Sequence, residues 1–153
     1  MFTTATFASP LGPLRLSEEN GRLIRLDYHR DPLSESYEPT PVLVEAMSQL
    51  TAYFQGKLKK FDLPLEMRGT PFQRQVWRQL LTIPYGETRS YGQIADAIGK
   101  PGASRAVGGA NNKNPLAIIV PCHRVIGSDG SLVGYASGVD IKQKLLQLEQ
   151  TNY

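Results

Sequence analysis

The sequence has little of what would build a stapled, metal-held or membrane-bound protein. Among 153 residues there is one cysteine, Cys122, and there are two histidines, His29 and His123. A lone cysteine closes no internal disulfide, and this Cys/His set cannot supply the four ligands of a structural zinc site, so no metal is expected. The longest apolar run, 116–121, is far shorter than the roughly 20 residues a membrane-spanning helix needs. The first residues show no basic stretch ahead of an apolar segment, so no leader is expected and the chain is read as soluble and intracellular. There is neither an internal repeat nor a low-complexity segment.

What is present is an apolar fraction of 41%, enough for one or two units with real cores. The charge is uneven. Residues 1–69 hold eight Lys/Arg against nine Asp/Glu, whereas residues 70–153 hold nine against five, so the formal +3 belongs to the second half. A modest basic excess is usually a solvated surface, but it keeps nucleic acid open as a partner.

The first half reads as a small antiparallel sheet with a helix. Residues 2–8, 14–16 and 23–28 are short apolar-rich runs; Pro10-Leu11-Gly12-Pro13 breaks the first pair, and Asn20-Gly21 is a strong hairpin signal because both residues tolerate positive φ. Residues 29–39 are loop-like. Thr40-Pro41 predicts an N-cap and first helical turn, with Val42, Met47, Leu50 and Phe54 on the buried face and a stop at Gly56. Residues 57–69 read as a linker.

The second half reads as helices on short connections. Thr70-Pro71-Phe72-Gln73 and Ser90-Tyr91-Gly92-Gln93 are both capping-box patterns. Phe72, Val76 and Leu80 share one face of the helix after the first box, which ends at Pro84-Tyr85-Gly86. Ile94, Ala97 and Ile98 are the apolar residues of the second, and Gly99–Gly102 turns the chain into a third helix from Ser104 to about Lys113. Helix, turn and helix in the more basic half is the pattern of a helix-turn-helix, although such pairs also occur as plain structure. Gly108-Gly109 costs the third helix about 1 kcal/mol per glycine relative to alanine. A close approach is therefore wanted there, against either a groove or another helix. Asp129-Gly130 signals a further turn, and Ile141, Leu145 and Leu148 line one face of a final helix.

Pro121-Cys122-His123-Arg124 is the densest chemical signal. A cysteine after an apolar run is commonly an inert packing residue. Here Pro121 fixes the backbone, His123 is a candidate base, and Arg124 adds a positive charge that would lower a thiol pKa. In a regular strand the side chains of Cys122 and His123 point to opposite faces, so either the backbone kinks or a water carries the proton. Glu149, on the final helix, is the candidate group to orient the imidazole, the alternative being an ordinary exposed helix charge.

Pro121-Cys122-His123-Arg124-Val125, with Asn114, the Arg105-Ala-Val-Gly-Gly-Ala110 helix and Tyr91 behind it and Tyr135 and Glu149 ahead, resembles the O6-alkylguanine-DNA alkyltransferases, also called methylated-DNA–protein-cysteine methyltransferases. The resemblance covers residues 70–150, while residues 1–66 match in layout only. It implies an α+β fold: an N-terminal domain over 1–66 with an antiparallel sheet and a helix in a ribonuclease H-like layout, then a mostly helical, winged helix-turn-helix-like domain over 67–153. It implies an S-methyltransferase that repairs O6-alkylguanine in duplex DNA, with O4-alkylthymine a further candidate, by one irreversible transfer to Cys122 after base flipping. His123 would act as base through a water, held by Glu149. Tyr91 would donate to the leaving ring nitrogen, and Asn114 would pin the turn before the cysteine. Arg105 would fill the gap left by the flipped base, with Ala106, Gly108, Gly109, Ala110 and Arg124 completing a minor-groove DNA surface. The carbonyls of Cys122 and Val125 would read the exocyclic amine, Ala136 would offer its backbone amide to the alkylated oxygen, Tyr135 and Ser137 would join the substrate site, and Ser137, where the family commonly has glycine, would narrow the pocket.

The resemblance further implies no cofactor, duplex DNA as partner, no obligatory protein partner, a monomer, and a place in the cytoplasm, or the nucleus in a eukaryotic source. Two rivals remain at this point: a non-reacting sensor of damaged DNA, and a cysteine hydrolase with repeated turnover.

Overall fold

The computed structural model describes residues 3–28, 40–132, 135 and 138–153. The architecture is α+β, in two compact units, Met1–Met67 and Arg68–Tyr153. Among the described residues no helix is long and apolar enough to cross a membrane.

The first unit is an antiparallel sheet in the order β1 (Thr3–Ser9), β2 (Gly12–Glu19), β3 (Arg22–Tyr28), covered by α1 (Pro41–Phe54). Ala8 pairs with Pro13 and Ser9 with Gly12, so the first turn is only Pro10-Leu11 and β2 starts earlier than the four-residue break suggests. Asn20 and Gly21 have φ of 54° and 78°, the positive pair their sequence predicts. The Glu18 carboxylate accepts the Gly21 N–H at 3.0 Å, beside a register shift at Ser17/Glu18. Residues 29–39, read as a loop, lie outside the described residues.

Thr40 stands at the N-cap of α1, but its side chain makes no capping bond. The buried stripe is Val42, Leu43, Ala46, Leu50 and Tyr53, one position round from the expected face with Met47 and Phe54. Residues 57–69 are more than a linker. Leu23 N–H donates to the Pro64 carbonyl and Glu66 N–H to the Leu23 carbonyl, both at 2.9 Å, and the Gln49 amide clasps the Asp62 backbone.

The second unit holds α2 (Pro71–Leu80), α3 (Tyr91–Ala97), α4 (Ser104–Asn112) and α5 (Val139–Thr151). Both capping boxes form with reciprocal bonds, Thr70 with Gln73 and Ser90 with Gln93. Removing the first cap with Thr70→Ala is expected to lower stability by about 1 kcal/mol, read as a shifted denaturant midpoint with unchanged slope. Trp77, on α2, is buried and donates through Nε1 to the Ala110 carbonyl at 2.9 Å, tying α2 to α4. A Cβ at Gly69 would come within 2.4 Å of the Trp77 ring, so glycine is required for that close approach.

The turn from α3 to α4 runs through Gly99 and Gly102 at φ of 76° and 86°, which completes the helix-turn-helix. Two short parallel strands, β4 (Arg89–Ser90) and β5 (Val125–Ile126), then join the start of α3 to the cysteine segment.

Candidate active site

The cysteine segment is not a strand. Cys122–Arg124 form a single 3-10 turn, with β5 beginning only at Val125. Pro121 carries φ −81° and ψ 66°, and the Val125 N–H closes the turn on the Cys122 carbonyl. This kink answers the alternation problem, since side chains of neighbouring residues on a 3-10 turn no longer point to opposite faces.

The approach to the turn is pinned by Asn114. Its Nδ2 donates to the Val120 carbonyl at 2.8 Å, and its Oδ1 accepts the Leu116 N–H at 2.9 Å. A second asparagine, Asn111 on α4, donates through Nδ2 to the Cys122 carbonyl at 3.2 Å.

Behind the turn lies a closed polar network. The Glu149 side chain is 1% exposed and His123 is fully buried. Glu149 Oε2 lies 2.7 Å from His123 Nε2 and accepts Arg124 Nη2 at 3.0 Å; its Oε1 accepts Arg124 Nε at 2.8 Å and the Gly86 N–H at 3.1 Å. Arg124 also donates to the Ile83 carbonyl at 2.7 Å. Burial alone would raise the Glu149 pKa, but the hydrogen bonds from His123 and Arg124 and the charge of Arg124 outweigh it and hold the carboxyl well below the ordinary carboxylate range.

An ionised carboxylate only accepts, so His123 donates from Nε2 and, when neutral, leaves Nδ1 as the lone-pair nitrogen. That Nδ1 is buried and has no hydrogen-bond partner among the described residues. Burial is the largest influence on the imidazole and lowers its pKa, so it is neutral at pH 7 and able to take a proton. Burial likewise pushes the Cys122 thiol up, opposed by hydrogen bonds with Asn114 and Tyr135 and by the charge of Lys142. A buried thiol of this kind needs a base.

Arg124 is thus placed differently from its expected role. Its guanidinium is enclosed by Glu149, Ile83 and the Tyr85 ring, 5.7 Å away, which removes it from the DNA surface and neutralises the charge expected to act on the thiol. Lys142 takes that electrostatic place. It sits fully buried on α5, donates to the Val125 carbonyl, and lies 5.8 Å and 5.9 Å from the Tyr91 and Tyr135 ring centroids. The sequence reading missed it because the stripe of α5 facing inward is Lys142, Leu145 and Glu149, one position round from Ile141, Leu145 and Leu148.

Tyr91 opens α3 half-buried; burial first, then the nearby Cys122, raises its phenol pKa, so it stays protonated at neutral pH. Its ring lies 3.8 Å from where a Cβ on Gly108 would be. On α4, Arg105, Ala106 and Gly109 are exposed, while Val107, Ala110 and Asn111 face inward. Ala110 is therefore a packing residue beneath the exposed face, a correction to its place on the DNA surface. The small residues of α4 serve both a tight interior contact and an open outer surface. Arg105 has no hydrogen-bond or ion-pair partner among the described residues. Val125 and Tyr135 are buried beside the cysteine turn, and Ala136 and Ser137 lie outside the described residues. No group of three His, Cys, Asp or Glu suited to a metal occurs among the described residues.

A buried thiol on a kinked turn, a histidine locked into one tautomer behind it and a helix-turn-helix in the same unit define a DNA-binding protein with a cysteine acceptor. Comparison gives the family: residues 71–151 match the 6-O-methylguanine DNA methyltransferase DNA-binding domain, and residues 3–67 match the ribonuclease-like domain of the same enzymes. The chain belongs to the 6-O-methylguanine DNA methyltransferase family.

It is 54% identical to a methylated-DNA–protein-cysteine methyltransferase of Mycobacterium tuberculosis, over 95% of this chain and 91% of that protein. It is also 54% identical to one of Methanosarcina barkeri, over 94% of each. The crystal structure of Mycobacterium tuberculosis OGT in complex with DNA superposes with a TM-score of 0.89 at 53% identity, covering 97% of this chain and 93% of that one.

Proposed function

We propose that the protein repairs O6-alkylguanine in duplex DNA by transferring the alkyl group to Cys122, one group per protein molecule. The observation that carries this reading is the buried Cys122–His123–Glu149 arrangement, in which Glu149 fixes the imidazole and leaves Nδ1 as the base. In the reaction the damaged nucleotide leaves the stack and enters the site. His123 Nδ1 takes the thiol proton through a water molecule, Sγ attacks the alkyl carbon, and the C–O bond breaks with its electrons returning to the purine. Tyr91 gives its proton to the purine ring as the leaving guanine forms. The product is a thioether, which has no second nucleophile beside it to remove the alkyl group, so turnover stops.

The remaining residues take the roles that the family resemblance suggests. Arg105, exposed on the first turn of α4, fills the gap in the stack, and Ala106 and Gly109 let α4 lie close to the groove wall. The carbonyls of Cys122 and Val125 accept the exocyclic amine of the guanine, and Tyr135 bounds the alkyl pocket. Working on chromosomal DNA, the protein acts in the cytoplasm of a prokaryote or the nucleus of a eukaryote, and it binds duplex DNA as a monomer.

Counting repaired bases against protein tests the reading. Repair should plateau at one base per Cys122, whereas a plateau far above that would require a hydrolytic cycle. Arg105→Ala is expected to slow repair in duplex DNA by about tenfold or more, the order of one lost transition-state contact. It should leave the reaction with free O6-alkylguanine base unchanged. Equal slowing of both would show that Arg105 supports the site and not the flipping.

A further inference from the structure

The geometry points to Asn111 as a specificity-determining residue, whose side-chain amide holds in the free protein the Cys122 carbonyl that the exocyclic amine of a flipped guanine takes over. This rests on the alkylguanine reading above. Asn111 lies on the inward side of α4 and is 2% exposed. Its Nδ2 donates to the Cys122 carbonyl, while the Val125 N–H closes the 3-10 turn on the same oxygen.

A carbonyl oxygen has two lone pairs, and both are engaged before any base arrives. An incoming amine must therefore displace one donor. The Val125 bond belongs to the turn backbone and moves only if the turn opens. The Asn111 bond, at 3.2 Å, is at the long end of the N–H···O range. Asn111 Oδ1, also buried, has no hydrogen-bond partner among the described residues, so no second bond through that atom anchors the amide. Asn111 is thus the donor that yields. A purine with an amine at C2 competes for the carbonyl; one with hydrogen there does not. The amide consequently sets how strongly the site favours guanine over hypoxanthine.

The test compares single-turnover methyl transfer to Cys122 from two duplexes differing only in O6-methylguanine or O6-methylhypoxanthine, for the wild-type protein and Asn111→Met. Removing the competing donor is expected to raise the guanine-to-hypoxanthine rate ratio by about threefold or more, as for one neutral hydrogen bond. An unchanged ratio, including equal slowing of both reactions, overturns the proposal, and so does a lowered one. Wild-type protein that transfers no methyl group would instead sink the alkylguanine reading itself.

A second measurement does not depend on a variant at 111. In Cys122→Ser protein, the Asn111 side-chain amide resonances should shift on binding the guanine duplex and stay in place with the hypoxanthine duplex. Identical behaviour with both duplexes contradicts the inference.

Discussion

Replacing Cys122 with serine is expected to abolish alkyl transfer while leaving duplex binding within about twofold of wild type. The thiol is buried on a 3-10 turn, whereas Arg105, Ala106 and Gly109 lie on the exposed side of α4. Sulfur is the nucleophile and the final acceptor, and a serine hydroxyl in the same place is far weaker because its proton is held much more tightly. Its isosteric fit keeps the turn closed by the Val125 N–H and the carbonyl held by Asn111. Gel-shift affinity alongside transfer separates the two roles. Loss of both in a folded variant would mean that binding depends on the thiol.

Substituting Glu149→Gln carries the second large effect, on stability and rate together. The carboxylate balances Arg124, orients His123 and accepts the Gly86 N–H. A neutral amide leaves the buried guanidinium without a counter-charge, which costs about 3–5 kcal/mol when one partner of a buried pair is removed. With the imidazole no longer held in one tautomer, transfer should slow by about 10²–10⁴-fold, the usual contribution of a positioned base.

The pH dependence has a definite sign. Glu149 has a folded pKa below its unfolded value of about 4.3, so its stabilisation is complete above that pH and is lost as pH falls below it. His123, buried neutral, adds a loss in the same direction once pH drops below about 6.5. The gap in denaturant stability between wild type and Glu149→Gln should therefore hold steady above the unfolded carboxylate pKa of about 4.3 and shrink progressively only as the pH falls well below it. A gap that persists undiminished into strong acid would place the effect outside this ionisation.

Local chemistry made much of this fold legible in the sequence. The capping boxes at Thr70 and Ser90, the Asn20-Gly21 turn and the glycines between α3 and α4 are each fixed by a few neighbouring residues. Glu149 could be matched to His123 because the final helix has to pack back onto the core. Contacts whose partners are distant in sequence were not legible. Lys142 looks like an ordinary helix charge until the rotation of α5 turns it inward with Leu145 and Glu149. Asn111 looks like one more small polar residue of α4 until the 3-10 turn brings the Cys122 carbonyl to it. Arg124 was misplaced for the complementary reason: next to a cysteine its charge suggests an exposed or activating group, but Glu149 and the Ile83 carbonyl draw it inside.

The most direct test is the mass of the Cys122 peptide after the protein is mixed with excess duplex containing one O6-methylguanine. The expected result is a gain of one CH2 unit on Cys122, in an amount equal to the guanine restored. Restored guanine with an unmodified Cys122 would contradict alkyl transfer to this residue, as would an intact lesion in the presence of folded, DNA-bound protein.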